Sequence, residues 1–164
     1  MARYRSPAVD FLPNEHMRLV GIIAAHWEML ELILDRLAAE VTSNKPERVN
    51  LLTDTMSFAA KRDLLMAYAR QYKERKPDRW KEFTTVLDAL NHAYSLRNTY
   101  VHAKWKAGPS KKRPKRIGVR TKGGKLVQTD SPTPIQDLTT AADAIISAGD
   151  GLVAVFRKVG MLKP

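Results

Sequence analysis

No cysteine occurs among the 164 residues. This excludes a disulfide framework and any thiolate metal centre, and it suits a reducing compartment such as the cytoplasm. Long apolar runs are missing too. The opening residues, MARYRSPAVDFLP, hold no stretch that could act as the apolar part of a signal peptide. The longest aliphatic run, LVGIIAA from Leu19 to Ala25, stops at His26 and is far too short to cross a bilayer. A soluble, cytoplasmic chain with no membrane partner is expected. There is no P-loop, no Rossmann glycine pattern and no Ser-His-Asp arrangement. The four histidines, His16, His26, His92 and His102, show no paired ligand spacing, so neither a metal nor a cofactor is expected.

Acidic residues are absent from one place in particular. Between Lys104 and Lys125 stand ten lysines and arginines and not one carboxylate. The formal net charge is +11, yet the remainder of the chain carries 18 basic and 17 acidic residues. The basicity is therefore a local patch on a nearly neutral body. Such a patch suits a polyanion, with nucleic acid ahead of an anionic membrane surface, and a solvated insert is the plain alternative.

What the chain does have is helical periodicity. Val20, Ile23, Trp27, Leu30, Leu34, Leu37 and Val41 recur at spacings of three and four. A second seam, Leu19, Ile22, His26, Met29 and Ile33, runs beside the first. This helix is thus expected either at the centre of a bundle or against a partner chain as well, with Glu28, Glu31 and Asp35 on its wet face. After the turn-forming TSNKPE, Thr53 or Asp54 is the expected cap of a second helix bearing Phe58, Leu65, Tyr68 and Tyr72. Pro77 suits the first turn of a third, whose seam runs Trp80, Phe83, Leu87, Leu90, Tyr94, Arg97, Val101. Gly108 and Pro109 end it. IGVRT and KLVQT flank KGG as a short hairpin. Thr133 and Pro134 open a last helix with the seam Ile135, Leu138, Ala142, Ile145, Gly149, Leu152, Phe156 and Val159. Gly149 and Gly151 either weaken that helix or let another approach closely. No internal repeat is apparent. The expectation is one all-α domain over residues 1–164, an up-and-down bundle of four to five helices, with a basic loop or short hairpin inserted at 106–130.

Arg97 is out of place on an apolar seam, because burying its charge without a partner is expensive. Either the helix turns so that Leu96 carries the seam, or Arg97 points into a cleft or a subunit interface. Asn98 and His102 are four apart and share a face, so a hydrogen bond between them is expected. His102 and Lys104 also suit a last turn simply as cations complementing the helix dipole. Glu28 and Glu31, lacking a Glu-x-x-His partner motif, read as solvated carboxylates.

The run Arg97-Asn98-Thr99-Tyr100-Val101-His102 resembles the R-x4-6-H signature of the HEPN superfamily, in which the arginine is commonly followed by a polar residue such as asparagine. The helical resemblance covers roughly Asn14 to Val159, and the basic insert lies outside the common pattern. It implies an all-helical bundle with the motif near the end of a long helix, facing its copy across a homodimer. It also implies a metal-independent endoribonuclease of a toxin–antitoxin or defence system, with RNA as substrate and an antitoxin or regulatory protein as a further partner. The residues to which the family's site carries over are Arg97, Asn98 and His102. The chemistry suits them. A histidine can take the 2′-hydroxyl proton near neutral pH, and a guanidinium matches the charge developing on a phosphate. Tyr94, Tyr100 and Lys104 are neighbours able to bind substrate, and Lys111, Lys112, Arg113, Lys115 and Arg116 would grip its backbone. The alternatives are a non-catalytic HEPN module that binds RNA, nucleotide or protein, and an unrelated basic helical bundle that binds nucleic acid.

Overall fold

A computed structural model of the chain describes residues 12–42, 55–108, 114–122 and 125–162. The first apolar seam drives helix α1, Asn14–Thr42, whose Glu15 lies in the first turn, where the helix dipole favours a carboxylate. Helix α2, Phe58–Ala69, begins later than Thr53 or Asp54 would set it. Those two lie outside the described residues, and the cap is Ser57, whose Oγ accepts from the Ala60 amide at 3.3 Å. A 3-10 turn at Arg70–Tyr72 leads to helix α3, Pro77–Val101, which has proline in its first turn as expected. Helix α4, Ile135–Lys158, closes the bundle, with Arg157 and Lys158 in its last turn.

One apolar core joins the four described helices. Ile23, Trp27, Leu34 and Leu37 of α1, Leu65 of α2, Phe83, Leu87 and Leu90 of α3, and Leu138, Leu152 and Phe156 of α4 are all fully buried. Each contributes roughly 1.5–3 kcal/mol of transfer free energy. Among the described residues, α4 is the one helix long and apolar enough to cross a membrane by length and composition, and Leu138, Ile145, Leu152 and Phe156 on it are buried in the core. Ile135 departs from the expected seam and is exposed.

Side-chain pairings give the helix directions. Along α3 and α4, Glu82 meets Lys158, Val86 meets Gly151 and Tyr100 lies near Asp137, so these two are antiparallel. Tyr94 stacks on Phe58, Asn91 accepts from Arg62, and Phe83 stacks on Tyr72, so α2 also runs against α3. His16 bonds Thr133 and Leu30 lies against Gly149, so α1 and α4 are parallel. Helices α1, α2 and α4 therefore share one direction and α3 opposes all three. The segment that joins α1 to α2, residues 43–54, lies outside the described residues. Of the two glycines, Gly151 is the one that permits close approach, since a Cβ there would lie 3.1 Å from Val86 Cγ2. Gly149 leaves ordinary contact distance to Leu30.

The basic insert holds the expected hairpin, to which a third strand is added. Strands β1 (Lys104–Lys106), β2 (Lys115–Lys122) and β3 (Lys125–Pro132) form an antiparallel sheet in the order β1-β2-β3. The register sets Lys104 opposite Ile117, Trp105 opposite Arg116 and Lys115 opposite Pro132. Its junction with α4 is tied to α1. The Thr133 amide donates to Pro114 O at 3.1 Å, and Thr133 O lies 3.0 Å from Nε2 of the buried His16. On the outer face Lys106 donates to Asp130, and that hydrogen bond holds the Asp130 carboxyl below the usual aspartate range. A depressed acid contributes stability above its unfolded pKa and loses it as pH falls through the folded one. Side-chain carbon titration by NMR should therefore find Asp130 below the ordinary range, and Lys106→Met should return it there. An ordinary value in the parent protein would remove this tie from the account.

Candidate functional site

The last two turns of α3 reveal how an arginine occupies a core seam. Ala93 and Tyr100 are buried, and Leu96 and Arg97 straddle the position between them. Leu96 packs against the core, while the Arg97 side chain keeps 21% exposure. Both expected solutions are thus partly realised. Leu96 carries the seam, and Arg97 lies at its margin with its guanidinium carbon 6.0 Å from the centroid of the Trp27 ring. An arginine over a tryptophan face is attracted by the ring quadrupole, and this partly offsets lost hydration.

Trp27 is itself fixed. Its indole Nε1 donates to Glu31 Oε1 at 2.9 Å. Glu31 and Asp35 flank Lys61 Nζ at 3.8 Å and 2.5 Å, and Lys61 is buried. Glu31 and Asp35 were expected on the wet face of α1. They instead form a polar clasp between α1 and α2, because the lysine comes in from the facing helix. A signal for it existed: Lys61 falls between Phe58 and Leu65 at spacings of three and four, the seam of α2.

Helix α3 ends at His102, whose backbone leaves helical geometry at φ −92° and ψ 6°. On an ideal helix, residues five apart are separated by roughly 140°. The departure lets the exposed His102 ring turn back, and Arg97 Nη1 contacts its Nε2. Arginine is only a donor. In a hydrogen bond between them, Arg97 is the donor and His102 Nε2 the acceptor. Arg97 Nη1 also donates to Asn98 Oδ1 at 3.1 Å. Asn98 accordingly orients Arg97 and not His102, a correction to the expected Asn98–His102 bond. A helix holds i and i+4 on one face only while it remains a helix, and His102 is already outside it. Glu28 Oε1 completes the group, 4.0 Å from Arg97 Nη2 and 72% exposed.

The other candidate residues separate. Tyr94 belongs to the site: its ring stacks on Phe58 at 4.4 Å, lies 5.6 Å from Trp27, and keeps 38% exposure. Tyr100 does not. It is buried, and burial first and the nearby Asp137 second push its hydroxyl pKa up. The Arg116 guanidinium lies 5.6 Å from the Tyr100 ring centroid and its Nε is enclosed, an arrangement like that of Arg97 on Trp27. Lys104 is exposed on β1, and Lys115 is half-buried on β2. Lys111, Lys112 and Arg113 lie outside the described residues. Among the described residues, no group of three His, Asp or Glu side chains could hold a metal ion. A groove of about 570 Å³ between α3 and α4, lined by residues such as Val86, Ala89, Ser147 and Gly151, contains none of the candidates.

No family model, curated protein or solved structure matches this chain. The site must be read from its own chemistry. It combines a half-buried cation, an exposed histidine in contact with it, an exposed aromatic ring and an adjoining sheet with an exposed lysine. That set can bind a phosphate and move a proton.

Proposed function

We propose that this chain is a HEPN-like RNA-binding protein that acts as a metal-independent endoribonuclease, of the kind found in toxin–antitoxin or phage-defence systems. The observation that carries the reading is the convergence of Arg97, Asn98 and His102 at the end of α3, with Arg97 held on Trp27. In this reading the phosphate oxygens of RNA take the Arg97 donors. His102 Nε2 accepts the 2′-hydroxyl proton, the 2′-oxygen bonds to phosphorus, and the bond to the 5′-oxygen breaks. The leaving oxygen takes a proton from an acid, a role suited to His102 of the partner subunit. Lys104 and Lys115 would hold the flanking backbone electrostatically.

The test is incubation of the purified protein with tRNA and with total cellular RNA, in EDTA. Cleavage should persist and should leave 2′,3′-cyclic phosphate ends or their hydrolysis products. Tight RNA binding without cleavage of any RNA would favour a non-catalytic module.

The dimer is part of the same proposal. Of the second seam on α1, Leu19 enters the core, but Met29 remains 60% exposed, and its neighbour Leu32 is 69% exposed. Gly21 and Ala25 are exposed on the same helix, beside Glu28. An apolar strip of this kind suits a second copy across a two-fold axis. Light scattering at tens of micromolar should give twice the chain mass, and Leu32→Glu should give the monomer. A monomeric parent protein would sink this part of the reading.

A further inference from the structure

Each nitrogen of Arg97 is already engaged or enclosed. Nη2 faces Glu28, Nη1 is shared between Asn98 Oδ1 and His102 Nε2, and Nε is buried without a partner. The lone pair that Arg97 occupies on His102 is also the one a general base would use. A carboxylate and a phosphodiester each carry one negative charge over two oxygens of similar span, so one can replace the other on a guanidinium fork. The Glu28 contact is long and the side chain mostly exposed, so water screens it and exchange is easy.

We propose that the resting site is self-occupied: Glu28 stands in for the phosphodiester on Arg97, and Arg97 covers the Nε2 lone pair of His102 until an RNA phosphate displaces both contacts. Glu28 is then a positioning residue, acting through Arg97. A phosphate that takes the Arg97 donors uncovers the base at the place where the 2′-hydroxyl arrives. Without substrate, the base stays bonded to Arg97. This rests on the reading of Arg97 as the phosphate ligand and His102 as the base, and the experiment separates the two.

The probe is a fluorescent 2′-O-methyl oligoribonucleotide, which binds but cannot be cleaved, followed by anisotropy at low salt. Glu28→Gln should bind it about two- to fivefold more tightly, the range an exposed ion pair supports. Glu40→Gln, an equal charge change at another exposed position on α1, should bind as the parent protein does. On an Arg97→Ala background, Glu28→Gln should have no effect. If Arg97→Ala weakens binding while Glu28→Gln behaves like Glu40→Gln, self-occupation is wrong and the phosphate reading of Arg97 stands. If Arg97→Ala binds as the parent does, the phosphate reading fails and takes self-occupation with it. A second readout is independent of affinity. Nitrogen NMR of the free protein at neutral pH should find His102 protonated on Nδ1 and bare on Nε2, with the Nε2 resonance moving when the probe is added. A free protein with the proton on Nε2 would overturn the masking.

Discussion

His102→Ala should lower the RNA cleavage rate by about 10²–10⁴-fold, the contribution of a positioned general acid or base. Binding of the same RNA should persist, because His102 is exposed at the end of α3 and supports little of the core. Arg97→Ala should cost about 10²–10³-fold, as removal of a donor to developing charge does elsewhere. Arg97→Lys should restore little. An ammonium is a point charge that cannot serve Asn98, His102 and a phosphate from one planar fork. The pH–rate profile of the parent should show a limb of histidine type, and that limb should vanish in His102→Ala. Equal cleavage by parent and His102→Ala, both highly purified, would transfer the activity to another site or to a contaminant.

The largest expected effect on stability lies away from the site. Lys61→Met should destabilise the protein by about 3 kcal/mol. Removing one partner of a buried ion cluster costs roughly 3–5 kcal/mol, and the lower end applies because Glu31 and Asp35 keep part of their hydration. In a chain of this size that is a fall in Tm of roughly 6–12 °C. The cause is the pair of carboxylates left facing an apolar neighbour, so Lys61→Met with Asp35→Leu should recover much of the loss. Because Glu31 also holds the Trp27 indole, the single variant should disturb Trp27 fluorescence even well below its melting temperature. Thermal melts matching the parent within about 0.5 kcal/mol, the usual range for surface substitutions, would show that the cluster is no more than a surface pair.

Much of this molecule is legible in periodicity. The four helices, the proline that opens α3 and nearly all of the core follow from apolar residues spaced by three and four, since a helix must bury one stripe. The local excess of positive charge is equally a property of the chain alone. Chain order is silent on how the helices run against one another. Parallel α1 and α2 arise because Phe58 and Lys61 of α2 find Trp27, Glu31 and Asp35 on α1, contacts between distant segments that no local pattern encodes. The sheet shares this dependence. Strand β1 is only three residues long and forms because β2 offers it an edge.

The site divides along the same line. Arg97 on an apolar seam was visible from sequence, since a charge there needs an explanation whatever the fold. Its explanation was not visible. Trp27, Glu28 and the turn of the chain at His102 come together only through packing of α1 against α3, and packing likewise buries Tyr100. Sequence determined which side chains could do chemistry. Tertiary structure decided which of them meet, because helix period assigns a residue to a face, but only contact between helices assigns that face a neighbour.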